Sequence, residues 1–261
     1  MSEKLTFERY EFKYFVRERV VDAVRRFAAP FLEPDEYAAK HPGGRYRIHN
    51  LYWDTPELHF YRAHCAGSDD RFKLRIRSYG DGQGARFLEV KRKIKQVIIK
   101  HRAKLDAGMY EGALAGDWEQ AIGRDSGPFL QEFLARAVSH GAVPTIAIRY
   151  EREAYKSVFA DDARLTFDRG LCYQIVDQHG SDREESGWIY VEETPDLRSP
   201  VLIELKATGY FPGWMSDLVQ RFDLQRINFS KYLVTLGHHL ELRKADFDRL
   251  PRSVLGRGGS R

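Results

Sequence analysis

Cysteine is nearly absent from the 261 residues, and the two present, Cys65 and Cys172, show no metal-ligand spacing. Two thiols cannot build a disulfide framework, which suits a reducing compartment, and both read as small buried hydrophobes. Long apolar runs are missing too. No stretch approaches the roughly 20 apolar residues needed to span a bilayer. The N-terminus, MSEKLTFERY, lacks the apolar run of a signal peptide, so a cytoplasmic location is expected. Low-complexity tracts, internal repeats and linkers long enough to cut the chain in two are all lacking. A charged fraction of 31% beside an aromatic fraction of 13% therefore describes one folded domain, expected over residues 1–250, ahead of a disordered tail at 251–261. A large excess of one charge is lacking as well, since the net charge is +4. That total does not mark a general nucleic-acid binder, and any information lies in how the charges cluster. No catalytic triad, metal-type histidine pair or redox cysteine motif is found. His49, His59 and His101 read as ordinary polar residues, and His238 and His239 as neighbours on a helix surface. GDGQG at 80–84 reads as a hairpin turn rather than a phosphate loop, because no helix with a Lys-Ser/Thr start follows it.

What the chain does have is a basic stretch, Arg71 to Lys104, in which three successive strand-like segments place cations at every second position. Side chains on a strand alternate sides. Lys73, Arg75 and Arg77 therefore share a face opposite Phe72, Leu74 and Ile76; Glu89, Lys91 and Lys93 lie opposite Leu88 and Val90; Lys100, Arg102 and Lys104 lie opposite Ile99, Ala103 and Leu105.

Other segments fill out the fold. A first strand over 8–14 sets Arg9, Glu11 and Lys13 against Tyr10, Phe12 and Tyr14, and Val16, Val20, Val24 and Phe27 then form the apolar stripe of a helix that Pro30 and Pro34 end. A strand at 46–53 leads to Asp54-Thr55-Pro56, capping residues for a short helix through His64. A helix at 128–140 is predicted to bury Phe129, Phe133, Leu134 and Val138 and to stop at Gly141. Strands at 145–154, 163–168, 188–193 and 201–207 follow, then helices within 212–224 and 228–242. Tyr46, Tyr52 and Trp53 read as core rather than as a base-stacking platform. Largely sequential strands interrupted by helices give an α+β fold with a curved or closed antiparallel sheet.

One such strand needs no explanation beyond a packed face and a wet face. Repetition with mixed signs does: Glu11 with Lys13, Glu89 with Lys91, Glu204 with Lys206, Arg164 with Asp168. If the sheet closes, a lumen lined by these groups needs an anion to neutralise it. Arginine forks suit phosphate oxygens, lysines act as point charges, and a glutamate among them suits a divalent cation bridging phosphates. The residues point to a metal-assisted polyphosphate site. Glutamates interspersed among the cations disfavour a nucleic-acid backbone as partner.

These motifs resemble the vacuolar transporter chaperone (VTC) family of polyphosphate polymerase domains, within the triphosphate tunnel metalloenzymes. The matching pieces run from Arg9-x-Glu11-x-Lys13-Tyr14 through Leu51-Tyr52-x-Asp54-Thr55-Pro56, Arg75-x-Arg77-x-Tyr79-Gly80, Glu89-x-Lys91, Lys100-x-Arg102, Arg152 with Arg164, and Val201-Leu-Ile-Glu204-x-Lys206 to Phe229-Ser230-Lys231-Tyr232. The resemblance implies a closed antiparallel barrel of about eight strands with helices packed outside. It implies that Lys13, Arg75, Arg77, Lys91, Lys100, Arg152 and Arg164 grip a triphosphate or polyphosphate, that Ser230 and Lys231 contact the chain near the mouth, and that Glu204 holds Mn2+ or Mg2+. Glu11 and Glu89 are further metal candidates. Arg9, Arg102 and Lys206 are further phosphate contacts, and Arg149, on the opposite strand face from Arg152, ranks behind them. The implied activity is transfer of the ATP γ-phosphoryl group to inorganic polyphosphate. The alternatives are a non-catalytic polyphosphate or inositol-phosphate binding module and a metal-dependent tripolyphosphatase. Arg9 replaces the first glutamate of the Glu-x-Glu-x-Lys strand of the hydrolase and cyclase branch, which disfavours triphosphatase and cyclase. Asn228 stands where catalytic eukaryotic members carry lysine, which favours the binding module. The additional domain and membrane span of the eukaryotic assemblies are not found in the sequence, and a membrane-protein partner is a further candidate; the oligomeric state is left open.

Overall fold

A computed structural model describes residues 9–80, 85–95, 97–115, 127–159, 162–176, 187–191 and 200–249. The GDGQG turn after Gly80, residues 116–126 and 192–199, and the C-terminal tail lie outside the described residues. The strands are β1 (Arg9–Val16), β2 (Leu32–Pro34), β3 (Arg45–Asp54), β4 (Asp70–Tyr79), β5 (Arg86–Ile94), β6 (Val97–Leu105), β7 (Val143–Ser157), β8 (Arg164–Ile175), β9 (Ile189–Tyr190) and β10 (Val201–Thr208). The helices are α1 (Glu18–Ala28), α2 (His59–Cys65), α3 (Ala107–Ala115), α4 (Pro128–His140), α5 (Gly213–Arg221) and α6 (Lys231–Arg249). All pairings are antiparallel, in the order β1-β10-β8-β7-β3-β4-β5-β6, with β2 beside β7 and β9 beside β8.

Period-two alternation sorts the side chains as the basic stretch predicts. The outer face buries Leu74, Ile76, Leu88, Val90 and Leu105 under α2, α3 and α4, and Leu165, Phe167, Ile203 and Leu205 under α1 and α5. An ion pair fastens α1: Arg25 donates to both carboxylate oxygens of Glu153 at 2.6 and 3.1 Å. Helix α4 ends at Gly141, whose φ of 61° is left-handed backbone that glycine takes readily. Its buried stripe is Leu130, Phe133, Leu134 and Ala137, which keeps the predicted Phe133 and Leu134 and narrows the stripe at both ends. Phe129 instead stacks on His101 of β6 at 4.6 Å, and Val138 faces solvent.

Two expectations are corrected. The sheet is an open half-barrel, not a closed barrel: β1 and β6 are its ends and do not pair. The outer edge of β1 is taken by the chain ahead of α6, where Tyr14 bridges to Arg226 and the Ile227 amide donates to the Lys13 carbonyl at 2.9 Å. Curvature still brings the two walls together, for Lys91 of β5 lies 3.7 Å from Glu11 of β1. Nor do all helices pack outside. Tyr232 and Leu236 of α6 sit with Ile48, Tyr52, Ile146, Ile148 and Tyr173 on the inner face. Their apolar side chains cover the part of that face with few charges, so helix and basic chamber share the concavity.

Asp54 holds this arrangement. It is 0% exposed, and its carboxylate accepts the amides of Thr55, Phe60 and Tyr61 at 2.7, 2.8 and 2.8 Å and the Tyr232 hydroxyl. One side chain thus starts α2 and ties down α6. Asp54→Ala strands these donors and is expected to cost about 3 kcal/mol or more. Urea unfolding followed by circular dichroism measures it; an unchanged midpoint would remove Asp54 from this role.

Candidate functional site

The inner face carries two charged walls. On the first, formed by β4, β5 and β6, the register sets Arg75 opposite Glu89 and Glu89 opposite Arg102, with Lys73, Lys91 and Lys100 forming the adjoining row. Glu89, 1% exposed, is the hub: Arg75 Nε donates to its Oε2 at 2.6 Å, while Lys100 and Arg102 approach Oε1 at 2.8 and 3.5 Å. Partners from β3 orient the guanidinium groups. Arg75 donates to the Tyr52 hydroxyl at 2.9 Å and Arg77 to Asn50 Oδ1 at 2.9 Å.

The second wall comes from β1, β10, β8 and β7, where Lys13 lies opposite Glu204, Glu11 opposite Lys206, and Asp168 opposite Arg152. Arg152 forms a bidentate pair with Asp168 at 2.6 and 2.7 Å and reaches Glu204 at 3.4 Å. Lys206 is 2.7 Å from Glu204, and Lys13 is 3.1 Å from Glu11. The Asn228–Lys231 segment runs between the walls. Lys231 contacts Asp168 at 2.6 Å and Glu204 at 3.2 Å, the Phe229 carbonyl accepts from Lys13 at 2.9 Å, and Ser230 Oγ accepts from Lys73 at 2.7 Å. A cavity of about 510 Å³ opens here, lined by Glu11, Lys13, Arg226, Ile227, Asn228 and Phe229.

The protonation states follow from crowding. Burial favours the neutral form of each carboxylate, but surrounding cations prevail. Lys206, Lys91 and Lys13 hold Glu11 at about 2; Arg75, Arg77 and Lys100 lower Glu89; Lys206, Lys231 and Arg152 keep Glu204 well below its ordinary range; Arg152 and Lys231 lower Asp168. Lysines move the opposite way from full charge. Burial, then Lys91, Lys13 and Arg75, push Lys73 down to about 7, and burial pushes Lys100 down to about 8 against the pull of Glu89. All four carboxylates are therefore anions at neutral pH, Lys100 is still largely charged there, and Lys73 is poised to gain a proton when another anion enters.

Among the described residues, no cluster of three or more carboxylate, imidazole or thiol side chains could hold a metal ion. Hard carboxylate oxygens do suit Mg2+ or Mn2+, with one or two protein carboxylates and the rest of the shell from phosphate and water. Glu204 and Glu11 fit that donor set, and Glu11 borders the open cavity.

Of the residues singled out from sequence, Lys13, Arg75, Arg77, Lys91, Lys100, Arg102, Arg152, Lys206, Ser230, Lys231 and the carboxylates Glu11, Glu89 and Glu204 are brought together. Arg164, opposite Lys206, lies at the exposed margin. Arg9 occupies the first rung of β1 opposite Thr208. Arg149 is not in the chamber: it sits on the outer face, its guanidinium 4.0 Å from the Trp188 ring and its Nε donating to Cys172 Sγ at 3.4 Å. Sequence reasoning left out Lys73, Asp168, Asn50 and Tyr52 as site residues. Lys73 and Asp168 carry the same period-two signal as Arg75 and Arg164. Tyr52 is both core and site, since its ring stacks on Tyr232 at 4.8 Å while its hydroxyl holds Arg75.

The sequence model of the VTC domain matches residues 8–237. No curated protein sequence matches the chain. Among solved structures, a putative adenylyl cyclase from Hippeastrum, reported with a dominant triphosphatase activity, aligns over 88% of this chain and 96% of its own with a TM-score of 0.50 and 14% identity. A putative adenylate cyclase from Vibrio parahaemolyticus aligns over 88% and 97% with a TM-score of 0.45 and 12% identity. The first likeness is one of fold.

The charge shifts fix the sign of a pH dependence. The four carboxylates ionise at lower pH folded than unfolded, so their stabilisation is complete above about pH 5 and lost as pH falls further. The depressed lysines leave the unfolded chain holding more protons between about pH 7 and pH 10, so their contribution to stability rises with pH there. Melting temperature should fall below about pH 5 and climb above about pH 7, less so in Lys73→Met; calorimetry across pH checks both limbs.

Proposed function

The chain belongs to the VTC domain family, and we propose that it is a polyphosphate polymerase, transferring the γ-phosphoryl group of ATP to the end of an inorganic polyphosphate chain. The observation that carries this reading is the convergence of Lys13, Arg75, Arg77, Lys91, Lys100, Lys206 and Lys231 on one concave face around carboxylates held ionised. Such a face accommodates a run of phosphates through exchange. Incoming phosphate oxygens take over ammonium and guanidinium groups that carboxylates now satisfy, and the charge-assisted bonds are remade.

A terminal phosphate oxygen of the polymer forms the new bond to the γ-phosphorus, the bond from that phosphorus to the β-bridging oxygen breaks, and ADP departs with the electron pair. The nucleophile is already an anion, so no general base is required. Arg75 and Arg77, oriented by Tyr52 and Asn50, position the triphosphate with two-pronged contacts. Lys13 and Lys231, on the facing wall, stabilise charge on the transferred group. Glu204 and Glu11 would hold the divalent ion, which supplies charge neutralisation across neighbouring phosphates.

Incubation with ATP and manganese, followed by gel analysis of polymer and colorimetric phosphate release, tests the reading. Chain growth supports the polymerase. Phosphate release without growth indicates a tripolyphosphatase, and tight binding with neither product indicates a binding module. For the polymerase, Glu204→Gln and Arg75→Ala are each expected to lower turnover by roughly 100-fold or more; wild-type synthesis by Glu204→Gln would remove Glu204 from the chemistry.

A further inference from the structure

Lys73 differs from the other cations deep in the chamber. Arg75, Lys91, Lys100, Arg102, Arg152, Lys206 and Lys231 each have a carboxylate partner, whereas the contacts of Lys73 among the described residues are the Ser230 hydroxyl at 2.7 Å and the face of Tyr232 at 5.9 Å. The charged and titratable groups that face it are Arg71 and Arg75 on its own strand, Lys91 on β5, Lys13 on β1 and His64 on α2. Each of these is a cation or a neutral group, and Glu11, which pairs with Lys13 and Lys91, makes no ion pair with Lys73 among the described residues. The positive charge of Lys73 is thus left without a carboxylate partner where the lysines of both walls converge.

Ser230 and Tyr232 bound one side of the same place. Arg75 and Arg77 continue along β4 on the face of Lys73, but in the other direction Ser230 and Tyr232 stand against it, with Tyr232 stacked on Tyr52 and bonded to Asp54. A linear anion lying along Arg77 and Arg75 meets the Ser230 hydroxyl beside Lys73.

We propose that Lys73 and Ser230 form the seat for the terminal phosphate of a linear polyphosphate or nucleoside triphosphate, so that the chamber distinguishes a chain end from a chain interior. This rests on the polyphosphate reading above and adds to it the recognition of an end group. Internal phosphates of a linear chain carry one charge each, while an end group carries a second ionisation with a pKa of about 6. A cation without a carboxylate partner favours the most highly charged phosphate. An ammonium group also presents three donors to the three free oxygens of an end group, whereas the planar arginine forks next along the strand suit two oxygens at a time. When the phosphate takes the Lys73 donors, the Ser230 hydroxyl is released to donate to the same group. Burial and neighbouring cations hold the proton affinity of Lys73 well below that of an ordinary lysine, so seating the end group draws a proton onto it.

Calorimetric titration with linear tripolyphosphate and cyclic trimetaphosphate tests this, because the ring has no end group. At about pH 7, the wild type is expected to bind the linear anion at least about tenfold more tightly and to take up protons, read from titrations in two buffers of different ionisation enthalpy. Lys73→Met should weaken linear binding about tenfold, abolish most of the uptake and change cyclic binding less than about twofold, which also reports an intact fold. Ser230→Ala, which removes only a hydroxyl, should weaken linear binding a few-fold and leave the ring unaffected. Equal weakening of both anions in Lys73→Met, or no change in either, overturns the end-group assignment while leaving the polyphosphate reading in place. A wild type that binds neither anion overturns that reading itself.

Discussion

Charge taken out of water must be neutralised within reach, and the inner face of this half-barrel is organised by that requirement. Cations gathered on a concave, partly desolvated surface repel one another, and each isolated one would carry a severe solvation penalty. Glu89 serves one wall, Glu204 and Asp168 the other, and Glu11 spans the gap to Lys91. Removing these carboxylates would not leave a stronger anion site, because the lysines would shed protons and the arginines would lose their positions. The carboxylates keep the cations charged and aimed before any phosphate arrives, which is preorganisation in the sense relevant to catalysis.

The second constraint is where α6 is placed. Its start delivers Ser230, just ahead of the helix, and Lys231 between the walls, and Tyr232 fixes it there through Asp54, the same carboxylate that starts α2. The approach segment also occupies the outer edge of β1 at Arg226 and Ile227, which leaves the sheet open. Closure of the ring and insertion of the segment compete for one strand edge. Insertion brings an extra lysine and a hydroxyl into the chamber, so opening the sheet and completing the site are the same event.

Much of this was legible in the sequence because strands report faces directly. Lys73-x-Arg75-x-Arg77, Glu89-x-Lys91 and Lys100-x-Arg102 name the residues of one wall by alternation alone, and the outer apolar set follows from the intervening positions. Arg149 and Arg152 are assigned to opposite faces by the same parity, since the irregularity in β7 between Arg149 and Glu151 does not put Arg149 inside. What alternation does not report is which edge meets which, so closure was expected and is absent. Periodicity is likewise silent on the side of the sheet a helix covers: α6 carries an apolar stripe like the others, and only the contacts of Tyr232 and Leu236 place it inside. In helix α4 the stripe is narrower than predicted, with Phe129 stacked on His101 at its edge and Leu130 and Ala137 in the core instead.

Mixed sign on the inner face also limits what ligands can use it. A smooth polyanion that offers only charge must overcome Glu11, Glu89, Asp168 and Glu204, each surrounded by cations that hold it ionised. A ligand gains here only if its oxygens can replace those carboxylates at individual ammonium and guanidinium groups, spaced along strands whose residues repeat on one face about every 6.6 Å. Flexible phosphoanhydride chains adapt to such spacing one phosphate at a time, whereas a nucleic-acid backbone separates its phosphates by whole sugars. Selectivity on this view comes less from the number of positive charges than from the carboxylates already seated among them, which any ligand must outcompete one contact at a time.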